Sequence, residues 1–348
     1  MARKKGGGGG RQRARQRQQY DELDKYPVMP PHAFARIVRD KQTLNIIYQI
    51  IEPPLTKKEQ EQRDEIMDIF IRSLTANIEE IDSNPEAYVR TAMDKVIKSY
   101  SMKINKKSKS KLFYYLRRDL IGYGKMDVLM NDVNVEDISL DGTNVPIFAY
   151  HRKFESVETT CVWETDEELE SYVIKLAQRC GKHISVAEPL LDATLMDGSR
   201  IVMKLGHEIS TRGSAFCIRR FKDDPFSPAD IVAFRTMSSL MVAYLWIAFQ
   251  NEVPMLFVGG TASGKTTTLN AMCIFIPWQM KIVSIESTRE VNIPQPNWVP
   301  GLTRQGFGGE SDEGVIGEFE LLKAALRERP EYIIVGEIRG AEAYVLFQ

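Results

Sequence analysis

Short apolar runs divide the last third of the chain at positions typical of buried strands. They cover 254–258, 281–286 and 332–336, and stretches with helical spacing lie between them. Strands that alternate with helices are typical of a parallel α/β sheet, so we expect residues 231–348 to form such a domain. Ser227 as N-cap and Pro228 at the first helical position predict where its first helix begins.

A mixed α/β pattern precedes this domain over 111–221. Thr165 and Glu168 have the spacing of a capping box, and Gly181 is a plausible end for the helix that they begin. Strand-like runs cover 138–140, 145–151, 199–205 and 213–221. A charged, proline-bearing linker over 222–230 is the predicted domain boundary.

The first 110 residues show no recognisable chemistry. Residues 1–19 are rich in Gly, Arg and Gln and are predicted to form a disordered basic tail. The remainder, 20–110, is predicted to be a helical extension. Helical spacing is present over 33–51, 59–81 and 85–100.

The charge of the chain is balanced overall but unevenly distributed. A formal net charge of -1 does not indicate a general nucleic-acid-binding protein. However, 1–17 hold seven Lys/Arg and no acid, and 98–118 hold eight and no acid. Such blocks attract nucleic acid or anionic lipid, and a solvated tail and helix face explain them equally well.

Cysteine spacing and hydropathy exclude two further classes. The four cysteines contain no CxxC pair, so neither a disulfide framework nor a zinc site is indicated. The longest apolar run, Met241–Phe249, is too short to span a bilayer. If the protein works at a membrane, we therefore expect it to act from one side of the bilayer without spanning it.

The most specific motif lies directly after the first apolar run. It matches G-x-x-x-x-G-K-[ST], whose backbone N–H groups cradle nucleotide phosphates. In such a loop, Lys265 reaches the β- and γ-phosphates and the Thr266 hydroxyl binds Mg²⁺. The predicted nucleotide-binding residues are Gly259, Gly260, Thr261, Ala262, Ser263, Gly264, Lys265, Thr266 and Thr267.

Two acidic residues follow the later strands. Glu286 ends the run 282–286, and Glu337 comes shortly after the run that begins at Tyr332. Ligands of open α/β sheets sit at the carboxyl ends of strands, so these acids could orient water or hold Mg²⁺. The second segment has the shape of a Walker B element, with Gly336 where aspartate is frequent.

Several spaced motifs resemble those of the secretion-type ATPases, the motors of type II secretion, type IV pili, archaella and type IV secretion. The resemblance runs from about Tyr123 to Gln348 and is greatest to the archaeal branch, which assembles pili or archaella. The motifs are 197–201 (DGSRI), 216–221 (FCIRRF), 243–246 (AYLW), 259–270, 284–290, 297–299 (NWV) and 326–343.

The resemblance implies a homo-hexameric ring of ATPase subunits, each with an α/β N-domain and a RecA-like domain, and ATP and Mg²⁺ as ligands. It implies an integral-membrane platform protein as partner and a position at the cytoplasmic face of the membrane. Glu286 and Glu290 match the family's acidic "Asp box", Glu290 being a possible metal ligand, and Glu337 matches the Walker B glutamate. The arginines that the family brings towards the phosphates match Arg200, Arg212 and Arg219.

The chain departs from the family pattern in two places. Ser287 stands where the Asp box has aspartate, and we expect weaker support of the site rather than its loss. The family's His box is missing before Gln348, which leads us to expect a C-terminally truncated sequence.

Three functions remain open on the sequence alone. The first is an ATP-hydrolysing motor that assembles or secretes through a membrane apparatus. The second is a DNA-transfer or other nucleic-acid motor, which the basic blocks favour but the N-domain motifs do not. The third is a nucleotide-binding scaffold with little turnover.

Overall fold

The structure is a computed structural model that describes residues 19–73, 84–221, 225–260, 263–304, 316–338 and 343–344. The chain divides into two compact units, Met1–Arg220 and Phe221–Gln348. Most of the predicted basic tail, residues 1–18, and most of the helix predicted at the C-terminus lie outside the described residues.

The first unit is built on a nine-stranded sheet. Its spatial order is β1-β2-β3-β6-β5-β4-β9-β8-β7, and its strand pairs are antiparallel except for the parallel pair β3–β6. The strands are β1 Tyr20–Met29, β2 Ala33–Asp40, β3 Ile46–Ile51, β4 Val135–Leu140, β5 Pro146–His151, β6 Glu155–Val162, β7 Leu190–Thr194, β8 Arg200–Lys204 and β9 Ala215–Arg219.

The prediction of a helical extension is wrong over 20–51. This segment forms β1, β2 and β3, and burial along β2 alternates at Ala33, Ala35 and Ile37 as a strand requires. Short apolar runs fit both helical and strand periods, and the pairing of these strands with one another and with β6 decides the outcome here.

A buried polar network also joins these strands to the rest of the sheet. The hydroxyls of Tyr26 on β1 and Tyr48 on β3 donate to one carboxylate oxygen of Asp132, at 2.7 and 2.6 Å. Asp132 is 1% exposed and His151, whose Nε2 lies 2.9 Å from the Tyr26 hydroxyl, is 2% exposed. Since Tyr26 donates to Asp132, His151 Nε2 carries the proton in this contact, and its Nδ1 accepts the Lys153 N–H at 3.1 Å.

Three helices then form a small bundle with its own core. They are α1 Lys57–Ser73, α2 Pro85–Ser99 and α3 Lys106–Leu120. The predictions of helix over 59–81, in its described part, and over 85–100 are confirmed. Apolar residues from all three helices fill the core: Ile66, Phe70, Val89, Met93, Val96, Leu112 and Leu116.

The predicted helix of the α/β pattern is confirmed as α5, Asp166–Arg179, after the short helix α4, Asp127–Asn131. The Thr165 side chain accepts the Glu168 N–H at 3.3 Å and caps α5. One face of α5 is buried in the main core of the unit: Leu169, Val173, Leu176 and Ala177. Burying each larger side chain contributes about 1.5–3 kcal/mol.

The second unit contains a three-stranded parallel sheet in the order β11-β10-β12. The mixed α/β class and the parallel sheet predicted for this half are thus confirmed. Ser227 caps the first helix, with Pro228 at its first position, as predicted. The elements are α6 Pro228–Ala233, α7 Ser239–Gln250, α8 Lys265–Cys273, β10 Ile282–Glu286, β11 Trp298–Leu302, α9 Glu318–Arg327 and β12 Tyr332–Val335.

The prediction of a buried strand over 254–258 is wrong. This segment has no strand assignment, and Leu256 and Val258 are 64% and 82% exposed. A strand exists only where a neighbour completes its hydrogen bonds, and the described residues provide none for this segment.

The remaining global expectations concern thiols and membranes. All four cysteines are free in the structure. Among the described residues, no helix is long and apolar enough to cross a membrane.

Candidate nucleotide site

The phosphate-binding motif forms a turn that leads directly into α8. Gly264 caps this helix with φ +87°, a left-handed conformation in which a side chain would be strained. The first N–H groups of a helix have no partner within it and form an anion site. The start of α8 thus has backbone N–H groups that could bind a phosphate, and Thr261 and Ala262 lie outside the described residues.

Lys265 and Thr266 occupy the first two positions of α8. Lys265 Nζ donates to the carbonyl of Gly260 at 2.8 Å, so the side chain lies back over the loop. Thr266 is half-buried and Thr267 is exposed. The ammonium group is thus already close to the backbone that would surround a phosphate.

Glu286 is a buried carboxylate at the carboxyl end of β10, only 2% exposed. Its Oε1 accepts the N–H groups of Glu290 at 2.9 Å and Val291 at 2.8 Å. Its Oε2 is buried and has no hydrogen-bond partner among the described residues. Burial raises the pKa of Glu286, and the two N–H bonds partly oppose that rise.

The Walker B-like segment ends beside Glu286. Val335 on β12 pairs with Ile285 on β10, and the Gly336 N–H donates to the Ile285 carbonyl at 2.9 Å. A Cβ at Gly336 would lie 3.0 Å from Glu286 Cγ. The glycine that replaces the usual aspartate is therefore the residue that leaves room for Glu286.

Glu337 follows directly and is exposed at the same edge of the sheet. The structure thus brings the strand ends that carry Glu286 and Glu337 together, as parallel neighbours require. The two carboxylates can have different roles: buried Glu286 can orient neighbouring groups, and exposed Glu337 can contact a water molecule.

Asn270 is a functional candidate that the sequence analysis missed. Its amide donates to the Glu290 carbonyl at 2.8 Å, and its Oδ1 accepts the Asn292 N–H at 3.1 Å. Both partners belong to the acidic segment, whereas Asn270 lies on the phosphate-loop helix. In the sequence, only the position of Asn270 within the 259–270 motif pointed to a role for it. Its hydrogen-bond partners are apparent only from the fold.

The residues present suit Mg²⁺. The candidate ligands Thr266, Glu290 and Glu337 offer only hard oxygen atoms, and the buried Glu286 Oε2 is an additional acceptor without a partner among the described residues. Within the same part of the chain, no cluster of three or more His, Cys, Asp or Glu could hold a metal. Few protein ligands are expected, because Mg²⁺ is commonly bound by one or two side chains together with phosphates and water.

The three candidate arginines lie in the first unit and are not equivalent. Arg200 on β8 and Arg219 on β9 stand directly opposite each other in the sheet. Arg212 lies in the β8–β9 connection, at the other end of these strands. Arg219 is at the end of β9 and Arg212 precedes its start, so four residues of the strand, about 13 Å, lie between them.

Comparison with known families decides the membership of the chain. A family model described as "Type II/IV secretion system protein" matches residues 156–347. This match covers more than half of the 348 residues and includes every candidate residue above. The chain belongs to the type II/IV secretion system protein family. The resemblance inferred from the spaced motifs is confirmed.

Individual relatives share parts of this chain. The uncharacterized protein MJ0900 of Methanocaldococcus jannaschii is 37% identical over 328 residues, 93% of this chain and 58% of that protein. The type IV secretion system protein VirB11 of Bartonella henselae is 29% identical over 197 residues, 47% of this chain and 54% of that protein. This secretion-family chain therefore spans little more than half the length of these relatives.

Two solved structures were found to resemble parts of the chain. The VirB11 ATPase of Brucella suis shows 22% identity and a TM-score of 0.28, covering 64% of this chain and 69% of that one. The ATPase DotB of Legionella pneumophila shows 18% identity and a TM-score of 0.42, covering 63% and 60%.

Proposed function

We propose that this member of the secretion family hydrolyses Mg²⁺–ATP as a motor that powers assembly or secretion of a type II/IV-related surface filament or secretion apparatus. The observation that carries the proposal is the edge where Glu286, Gly336 and Glu337 meet, tied through Asn270 to the phosphate-loop helix. Family membership supports the same activity.

In the proposed mechanism, the N–H groups at the start of α8 and Lys265 bind the phosphates. Glu337 accepts a proton from the attacking water, and Glu286 holds the Glu290–Val291 backbone in place. Mg²⁺, held by Thr266, Glu290 and Glu337, would neutralise charge on the transferring phosphoryl group.

Arginines of the first unit supply the remaining positive charge. Arg200, Arg212 and Arg219 are the candidates, and an arginine at the phosphoryl group stabilises the charge of the transition state.

The test is Mg²⁺-dependent ATP hydrolysis, with and without DNA, by wild type and by Glu337→Gln. We expect the substitution to lower kcat at least about a hundredfold while ATP still binds, because it removes a general base. Glu331→Gln, before the same strand, is the matched control and should retain activity.

The possible outcomes separate the three functions. Hydrolysis that requires Glu337 and ignores DNA supports the secretion motor. Strong stimulation by DNA that falls steeply with salt would support a nucleic-acid motor instead. Binding without hydrolysis would support a scaffold.

We further propose that the subunits assemble as a homo-hexamer at the cytoplasmic face of the membrane, where they engage an integral-membrane platform protein. Sedimentation with and without Mg²⁺–ATP tests the ring. A chain that stays monomeric with bound nucleotide would contradict it.

The lysine-rich tip of the helical bundle supports a contact with anionic lipid. Two nearby acids already have lysine partners: Glu59 pairs with Lys111, and Asp94 pairs with Lys109. The Ser108 hydroxyl donates to Glu59 at 2.7 Å, which places the start of α3 next to the start of α1. Exposed lysines at these helix starts are Lys57, Lys58, Lys106 and Lys107.

Vesicle flotation tests this contact. A lysine near an anionic surface contributes about 1 kcal/mol, so Lys106→Gln with Lys107→Gln should weaken binding to phosphatidylglycerol vesicles about thirtyfold. Lys25→Gln with Lys204→Gln removes the same charge from exposed strand positions and is the matched control. Equal losses in both pairs would contradict a specific tip.

A further inference from the structure

The connection between β8 and β9, residues 205–214, is a loop with a left-handed glycine close to each end, and we call it the β8–β9 loop. Gly206 has φ +77° and Gly213 has φ +93°, conformations that glycine adopts readily and other residues rarely. The residues between them are exposed except for Ser210, which is half-buried. This part of the chain lies between the paired strands, so its own contacts decide how firmly it is held.

Asp166, at the first position of α5, joins this loop to the turn between β4 and β5. Its Oδ2 lies 3.1 Å from His207 Nε2, and its Oδ1 accepts a hydrogen bond from the Thr143 hydroxyl in the turn. The Thr143 N–H in turn donates to the Arg212 carbonyl at 3.1 Å. A Cβ at Gly213 would lie 3.0 Å from Asp166 Oδ1, so the end of the loop passes close to this carboxylate. One carboxylate therefore holds three segments of the first unit together.

The contact between His207 and Asp166 is strongest when both groups are charged. Their side chains are 54% and 45% exposed, so both exchange protons freely with solvent. The hydrogen bond to Asp166 is the main cause that raises the pKa of His207 above the ordinary value of 6.5. The Thr143 hydroxyl and then His207 lower the pKa of Asp166 below its ordinary value of 3.8. The charged pair therefore contributes fully between pH 3.8 and 6.5 and is lost as pH rises through the folded pKa of His207.

The charges around His207 favour the protonated ring. From α5, Asp166 and Glu170 both raise its pKa, and the Thr211 backbone within the loop does the same. The other charged residues of the surrounding segments are Asp141 in the β4–β5 turn, Glu167 and Glu168 on α5, and Glu208 and Arg212 in the loop. Of these, Arg212 alone is positive, so the ring stays protonated to a higher pH than that of a free histidine.

We propose that Asp166 and His207 form a pH-sensitive latch that holds the β8–β9 loop against the start of α5. With both groups charged, His207 fixes the first end of the loop, and the Arg212 carbonyl fixes the other end through Thr143. When His207 loses its proton, the charge-assisted bond becomes an ordinary one, and the loop opens more often. The latch lies wholly within the first unit and requires no nucleotide, so it goes beyond the proposed motor function.

The test is limited trypsin cleavage of the full chain after Arg212, the only Lys or Arg between Gly206 and Gly213. The cleavage rate from about pH 6 to about pH 8.5 is divided by that of a synthetic peptide of residues 206–214, which removes the pH dependence of trypsin itself. This ratio follows the open fraction of the loop. For wild type it should rise about threefold, the effect that one exposed ion pair supplies, and a constant ratio would overturn the latch.

Three substitutions identify the groups involved. His207→Gln keeps a hydrogen-bond donor but cannot titrate, so its ratio should not change with pH. Asp166→Asn removes the charge that pairs with His207, and it should show at about pH 6 the high ratio that wild type reaches only at alkaline pH. His183→Gln, the matched control, removes another exposed histidine of the first unit and should keep the wild-type profile. A pH-dependent ratio in His207→Gln, or a constant one in His183→Gln, would overturn the assignment to His207.

Proton NMR of the imidazole rings gives a second readout that does not depend on cleavage. The ring signal that disappears in His207→Gln identifies His207 among the four histidines. Its titration midpoint should lie above 6.5 in wild type and fall towards 6.5 in Asp166→Asn. A midpoint that is unchanged in Asp166→Asn would overturn the latch. Neither measurement uses ATP, so either result leaves the proposed motor function untouched.

Discussion

Asn270→Ala tests whether the phosphate-loop helix and the acidic segment act as one assembly. The substitution removes the hydrogen bonds of 2.8 and 3.1 Å to Glu290 and Asn292. Each is worth about 0.5–1.5 kcal/mol net, and both partners can recover some hydration. We expect the free energy of unfolding of the second unit to fall by about 2 kcal/mol.

The effect on activity should exceed this loss of stability. Asn270 holds the carbonyl of Glu290, and the N–H of Glu290 donates to the catalytic candidate Glu286. Release of that backbone should lower kcat about tenfold, because small displacements of catalytic groups are costly. The Kd for ATP should change less than about twofold, since the loop and Lys265 are untouched.

Denaturant titration followed by tryptophan fluorescence, together with hydrolysis and ATP-binding measurements, provides the assay. Three of the four tryptophans, Trp246, Trp278 and Trp298, lie in the second unit and report mainly on it. The control is Asn251→Ala, which removes one exposed hydrogen bond of 2.7 Å to Ile247 at the end of α7. The reasoning is refuted if stability falls as expected while kcat equals that of the control.

Three further variants test other features of the two units. Glu286→Gln should stabilise the second unit at pH 7, because the raised pKa of Glu286 makes its charged form costly above the ordinary value of 4.5. The gain over wild type in urea titrations should shrink as pH falls below the folded pKa and should be absent below the ordinary value. Gly336→Ala should lower kcat severalfold with little change in ATP affinity, because its Cβ would lie 3.0 Å from Glu286 Cγ and displace that side chain. Normal kinetics would show that the end of β12 shifts to accommodate the methyl group. Tyr48→Phe should lower the free energy of unfolding of the first unit by about 1–3 kcal/mol, because buried Asp132 loses a hydrogen-bond donor at 2.6 Å. A loss below about 0.5 kcal/mol would show that the hydrogen bond from Tyr26 is enough to stabilise the buried carboxylate.

The sequence by itself determined the elements whose signals are local. The phosphate loop is a run of adjacent residues, and Gly264 provides the positive φ that its turn needs. Helix caps at Thr165 and Ser227 were readable because a cap depends on only a few neighbouring positions. Glu286 and Glu337 were chosen as candidates because acids at strand ends of a parallel sheet face the ligand edge, and their roles stay predictions.

Strand pairing was not readable in the same way. Residues 33–51 have short apolar runs that fit two periods, and strands are selected there by the pairing of β2 with β1 and β3 and of β3 with β6. Conversely, 254–258 have the composition of a buried strand, but no described neighbour completes their hydrogen bonds. The apolar composition of a segment shows that it can be buried, but whether it is buried depends on the elements that pack against it in the fold.

Only the tertiary structure decided which distant residues meet. It places Gly336 against Glu286, Asn270 against Glu290, and Arg200 opposite Arg219. These contacts follow from strand register and helix packing, where a shift of one residue would turn each strand side chain to the other face. Register is a property of the paired sheet, so the identity of a partner is absent from either segment alone.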